Sequence, residues 1–220
     1  MQIIDELTWR TIRCFLWLFG KLYRVKISGL EHADVNKAAV FAVKHASNLD
    51  LPVMLHTLPR KPVTFASKGV FVNPVTNYLL RVSGVIPVYG PTQHDRAERL
   101  SPSAIQTGMI FYHALRDGSF VVYAPEGRRV LNSIGEVDAR LVVKAAELGY
   151  NTYLVGIAYS NRRYPLLSLF SGMHGIEVTM QSYSARNKSS QQVKAEVEQV
   201  FARLSSIILC SSRLEQLVKS

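Results

Sequence analysis

The chain has 220 residues, 48% of them apolar and 19% charged, which suits one large domain with a sizeable core and excludes collagen-like or disordered compositions. Lys plus Arg exceed Asp plus Glu by 26 − 16 = 10, and the isoelectric point is near 9.8, so a polyanionic partner is expected: a membrane, a phosphorylated small molecule or nucleic acid. Two cysteines, Cys14 and Cys210, stand near opposite ends and argue against a disulfide framework or a cysteine metal cluster.

Residues 2 to 19 carry helical periodicity. Ile4, Leu7, Thr11, Phe15 and Leu18 follow three- and four-residue steps, and Ile3, Ile12 and Phe19 widen the stripe. Trp9 and Trp17, the only tryptophans, fall in this helix. The longest uncharged apolar run, Cys14 to Gly20, is bounded by Arg13 and Lys21, whereas a bilayer span needs about 20 apolar residues. Asp5 and Glu6 also spoil a signal-peptide n-region. Residues 1 to 20 are therefore expected to form an amphipathic helix lying in a membrane interface, and residues 21 to 220 the main domain. The expected location is the cytoplasmic face of a membrane, peripheral or monotopic.

Lys21 to Ile27 alternates and predicts a strand. Ala38 to Val43 is wholly apolar and predicts a buried one. A short helix follows from Asp50 to Leu58, then a strand from Pro62 to Ala66. Asn73 before Pro74 reads as an N-cap with proline at the first helical position, opening a helix to Arg81. Gly84 to Val88 is a strand, Tyr89 to Ser101 a polar loop and Ser103 to Arg116 a helix. Ser119 to Ala124 is a strand, Pro125 to Gly135 a loop, Val137 to Leu148 a helix and Thr152 to Ala158 a strand. Asn161 to His174 is irregular, Ile176 to Gln181 a strand, and Ser189 to Leu209 a charged amphipathic helix with a fraying tail. Alternation of strands and helices, with several strands apolar on both faces, predicts an α/β fold: one domain with a mixed, mostly parallel sheet covered by helices.

Several common sites are absent: G-x-x-x-x-G-K-[ST], G-x-G-x-x-G, H-E-x-x-H and G-x-S-x-G. The basic residues are scattered and form no nucleic-acid motif, so no nucleic acid partner is expected. Two constellations remain. His45-Ala-Ser-Asn-Leu-Asp50 follows the buried strand, and an aspartate opening the next helix can curl back to the ring, leaving the other nitrogen as a general base. On spacing alone the segment also reads as a surface histidine and a helix cap. Tyr123-Ala-Pro-Glu-Gly-Arg-Arg129 follows another apolar strand. Its Pro125 and Gly127 shape a turn, Arg128 and Arg129 offer guanidinium forks to a phosphate, and Glu126 can orient an arginine or accept from a polyol; an ordinary charged turn has the same composition. Tyr159, Arg162 and Arg163 read as a solvated loop. The other histidines, His32, His56, His94, His113 and His174, lack a partner pattern.

Together the constellations resemble the glycerolipid acyltransferase family, which includes the lysophosphatidic acid acyltransferases. His45 to Asp50 matches its H-x4-D motif, Pro125 to Arg129 its P-E-G-x-R motif, Gly84 to Val88 its G-x-I-P-x block and Leu154 to Ala158 its last block. The similarity runs from about Lys21 to Ser182. One motif would be weak; four in order are specific. Three departures bear on the acceptor. Tyr89, Gly90 and Pro91 stand where an arginine usually follows the intermediate block, with Arg96 or Arg99 as substitutes. Gly156 replaces a proline. Arg128 occupies a position often held by a small residue.

The resemblance implies acyl transfer from acyl-CoA or acyl-carrier protein to a hydroxyl of a lysophosphatidic acid-type lipid. His45 would be the base and Asp50 its partner, and Glu126, Gly127, Arg128 and Arg129 would hold the acceptor. No metal or organic cofactor is implied. The alternatives are another lysolipid or a hydroxy- or amino-lipid acceptor, and, from a different class, a membrane-binding protein without catalysis.

Overall fold

β2 (Ala39–Val43) is buried along its whole length, and its side chains divide by parity. Ala39, Phe41 and Val43 enter one apolar cluster, Val40 and Ala42 another, as the two-residue period of a strand requires. A strand apolar on both faces needs a layer on each, and the computed structural model supplies two. It describes residues 2–34, 36–88, 102–127, 129–130, 133–159 and 175–217, without the side chains of residues 2–4, 32, 102–104 and 205–217.

The remaining strands are β1 (Val25–Ser28), β3 (Val63–Ser67), β4 (Val85–Val88), β5 (Phe120–Tyr123), β6 (Asn151–Tyr159) and β7 (Ile176–Tyr183). They form one seven-stranded sheet in the order β1-β7-β6-β2-β5-β3-β4. β6, β2, β5, β3 and β4 are parallel neighbours; β7 is antiparallel to β6, and β1 is parallel to β7. The expected single-domain, mostly parallel α/β architecture is the one observed. The carboxyl ends of five parallel strands therefore meet at one edge, where ligands of open α/β sheets bind.

The helices are α1 (Gln2–Leu22), α2 (Asp50–Thr57), α3 (Pro74–Val82), α4 (Pro102–Arg116), α5 (Arg140–Glu147) and α6 (Ser190–Leu217). Val53 and Met54 of α2 and Tyr23, the residue after α1, pack on Phe41, Phe120 and Val155. Phe111 and Leu115 of α4, Val142 of α5 and Phe201 of α6 pack on Val40, Val121 and Leu154 of the other face. Asn73 caps α3 as its sequence predicts, its Oδ1 accepting from Val75 N–H at 2.9 Å and Thr76 N–H at 3.2 Å.

Three boundaries differ from the sequence reading by three residues or more. Lys21 belongs to α1 and the first strand begins only at Val25, because Gly20 is a contact glycine and not a stop: a Cβ there would lie 2.1 Å from the His56 ring of α2. α5 begins at Arg140 and not Val137, because Asp138 N–H bonds to Pro125 O at 2.8 Å while its carboxylate accepts from Arg140 N–H at 3.1 Å, a turn that holds the preceding segment extended. α6 continues to Leu217, beyond the expected end at Leu209.

The stripe that predicted α1 faces outward. Leu7, Phe15, Leu18 and Leu22 are exposed, while Leu16, Gly20 and Tyr23 are buried. α1 is apolar around much of its circumference, and periodicity alone does not say which ridge meets the domain.

Candidate active site

β2 and β5 end side by side, and the chain beyond each is tied to the other. Past β5, Gly127 takes φ 63 and its N–H bonds to Ala124 O at 3.1 Å, a left-handed turn that tucks Glu126 inward. The Glu126 side chain is 0% exposed. Its Oε1 accepts from Gly135 N–H at 2.7 Å and its Oε2 from His45 N–H at 3.1 Å. Lys44, also buried, brings its Nζ to 3.1 and 3.2 Å from the two carboxylate oxygens and to 2.9 Å from Val130 O. Val130 N–H returns a bond to His45 O at 2.9 Å. Both backbone polar groups of His45 are thus held by the loop after β5, and a buried cation neutralises the carboxylate that does part of the holding.

The His45 side chain is 31% exposed. Its Nδ1 lies 2.7 Å from Asp50 Oδ2, which also accepts from Ala46 N–H at 2.8 Å and Ser47 N–H at 2.9 Å. Asp50 is the first residue of α2 and 4% exposed, and its carboxylate turns back over the loop that leads into its own helix. The Tyr159 hydroxyl donates to the other oxygen, Oδ1. An ionised carboxylate only accepts, so Nδ1 carries the proton and Nε2 the lone pair. Burial, and then the adjacent Asp50 carboxylate, push the Tyr159 phenol well above its ordinary range, so it remains a donor.

The six residues singled out from the sequence fall into three groups. His45 and Asp50 form a bonded pair. Gly127 makes the turn, and Arg129 is exposed on the same loop, whereas Arg128 lies outside the described residues. Glu126 departs from its expected role: its carboxylate is spent on Lys44, His45 and Gly135 and has no surface to offer a polyol. Arg96, Arg99, Arg162, Arg163, His94 and His174 lie outside the described residues.

Sequence reasoning missed Lys44 and Tyr159. Lys44 had a signal: a lysine directly after five buried residues needs a buried counter-charge, and Glu126 stands at the matching position after β5. Tyr159 was read as loop, but it is the last residue of β6, 6% exposed, and reaches Asp50 because β6 runs parallel to β2 and extends past its end.

An imidazole backed by a buried carboxylate, with its ring partly exposed, has the chemistry for proton transfer. A family model described as Acyltransferase matches residues 24–160, more than half of the chain, and the protein belongs to that family. The crystal structure of the 1-acyl-sn-glycerophosphate (LPA) acyltransferase PlsC from Thermotoga maritima shares the fold, with a TM-score of 0.58 and 18% identity over 94% of this chain and 78% of that one. No curated protein sequence matches the chain.

Proposed function

We propose that the protein transfers an acyl group from the thioester of acyl-CoA or acyl-carrier protein to a hydroxyl of a lysophosphatidic acid-type glycerolipid, at the cytoplasmic face of a membrane. The observation that carries the reading is the 2.7 Å contact between His45 Nδ1 and Asp50 Oδ2 in a member of the acyltransferase family. Nε2 of His45 takes the proton of the acceptor hydroxyl as its oxygen attacks the thioester carbonyl. The C–S bond then breaks, and the imidazolium returns the proton to the departing sulfur. Asp50 holds the tautomer and offsets the positive charge on the ring. Arg129, with Arg128, pairs with the acceptor phosphate through its guanidinium. Glu126 acts on His45 through the backbone and does not touch substrate.

The membrane side of the reading is supported by the outer ridge of α1. Phe15 is 68% and Trp17 61% exposed, with Leu7, Leu18 and Leu22 beside them. α3 lies alongside, joined by a 3.1 Å contact between the Thr8 and Tyr78 hydroxyls, and adds Val75 and Leu79, with Val72, 83% exposed, just ahead of it. No helix among the described residues is long and apolar enough to cross a bilayer. A large apolar face with a basic body suits in-plane contact with anionic lipid.

The test is an acceptor screen with labelled acyl-CoA and acyl-carrier protein, products being identified by mass. Acylated lysophosphatidic acid is the expected product, and loss of about 10²–10⁴ in rate is expected for folded His45→Ala. Wild-type turnover by that variant would remove the mechanism. Preference for a different lysolipid, or for an amine, would replace the acceptor while keeping the base.

A further inference from the structure

We infer that Tyr159 is a positioning residue of the acyl transfer: its buried hydroxyl locks the plane of the Asp50 carboxylate so that Oδ2 stays aimed at His45 Nδ1. The inference rests on the reading of His45 as the base.

The two oxygens of Asp50 are loaded unequally. Oδ2 takes three donors, all from the segment His45 to Ser47, at 2.7, 2.8 and 2.9 Å. That segment is the loop the base itself sits on, so these bonds alone let carboxylate and loop shift together. Oδ1 takes Tyr159, which belongs to a different element, the middle of whose length is tied into the sheet between β2 and β7. A carboxylate pivots about its Cβ–Cγ bond. A donor on the second oxygen, fixed to a strand, removes that rotation and references the dyad to the sheet. Tyr159 pairs with Ile176 at the end of β6, and its own side chain is buried. The hydroxyl is therefore delivered by a rigid support, as precise placement of a catalytic group requires. Because its proton is directed at Asp50, Tyr159 has none to give the substrate, which separates it from the base.

The decisive experiment measures kcat and both KM values for Tyr159→Phe, alone and in an Asp50→Ala background, beside His45→Ala. Phenylalanine fills the same space and removes only the donor. With His45→Ala inert, the expected result is a fall of roughly 10-fold in kcat for Tyr159→Phe, KM values within about 2-fold of wild type, and no further fall when it is added to Asp50→Ala. Wild-type kcat in Tyr159→Phe overturns the inference and leaves the base assignment standing. An equal fall in both backgrounds also overturns it, since Tyr159 would then act without Asp50. An active His45→Ala removes the base assignment and this inference with it. If Tyr159→Phe does not fold, site-specific fluorotyrosines at 159 keep the question open to measurement. The proton shared by His45 Nδ1 and Asp50 gives a downfield proton resonance that must move along a series of increasing phenol acidity; a resonance indifferent to the series overturns the inference.

Discussion

A carboxylate without exposed surface cannot exchange protein partners for substrate, and Glu126 is such a group. Its replacement should therefore act on stability and on kcat before it acts on acceptor affinity. Glu126→Gln leaves the Lys44 ammonium buried without its counter-charge, at a cost on the order of 3 kcal/mol. Adding Lys44→Met should recover much of that stability, because the unpaired charge is gone, but not the kcat, because one amide oxygen cannot accept from both His45 N–H and Gly135 N–H as the carboxylate does. Chemical denaturation and steady-state kinetics on the two variants check both halves; recovery of kcat along with stability would mean that this pair of bonds does not position His45. Arg129→Ala should behave in the opposite way. It leaves stability alone and raises the acceptor KM about 10-fold or more, as for a lost charge-assisted pair, with the donor KM unchanged. A selective rise in the donor KM would reassign Arg129.

Two elements meet their neighbours through glycines, and each contact has a measurable consequence. α1 closes on α2 at Gly20, where the His56 ring fills the space of a side chain. Arg13 Nη1 adds bonds to Leu58 O at 2.9 Å and Leu55 O at 3.3 Å. Burial holds the His56 pKa below its ordinary 6.5; the Leu16 backbone opposes it in part, and the nearby Arg13 charge adds a smaller lowering. The folded state thus prefers the neutral ring. Its contribution to stability is complete above pH 6.5 and is lost as pH falls from 6.5 towards the lowered folded value, because the unfolded chain takes up the proton first. Melting temperatures across this range should fall more steeply for wild type than for His56→Gln. Parallel curves would show that His56 does not govern the docking of α1. At Gly156 of β6, a Cβ would come within 2.9 Å of Leu204 Cβ on α6. The close approach of that helix gives a physical reason for glycine at this position. Gly156→Ala should cost about 1–3 kcal/mol by overpacking. Combined with Leu204→Gly, which removes the Cβ that an alanine would keep, its effect should be well below additive in equilibrium unfolding, and full additivity would mean that the two side chains do not share the space.

At the scale of the whole molecule, the sheet separates two layers of different character. α4, α5 and α6 cover one face; α1 and α2 cover the other, with α3 beside α1. The outer surfaces of α1 and α3 carry the exposed apolar residues that a membrane-interface reading needs, on a chain of net charge +10. Deleting α1 is a poor test, since its Leu16 is buried and Gly20 packs on His56 of α2. Point changes spare the core. Phe15→Glu with Leu18→Glu, and separately Val72→Glu with Val75→Glu, should each lower binding to anionic vesicles while circular dichroism stays unchanged. Wild-type binding should itself weaken with added salt, as the electrostatic part is screened. Undiminished binding by both pairs would place the lipid-contacting surface elsewhere.

Local signals were enough for much of this. The buried strands, the Asn73–Pro74 helix start, the mostly parallel sheet and the adjacency of His45 to Asp50 are written in periodicity and in a five-residue spacing, because each depends on residues close in the chain. Tertiary structure decided what depends on distant residues. Which ridge of α1 turns inward follows from α2. Whether Glu126 is open or covered follows from Lys44 and from a loop that closes over it. That Tyr159 meets Asp50 follows from β6 lying parallel beside β2, 109 residues along the chain from the aspartate it serves. A sequence states which groups a chain carries; only the packing of separate strands at one edge determines which are pointed at a substrate and which at each other.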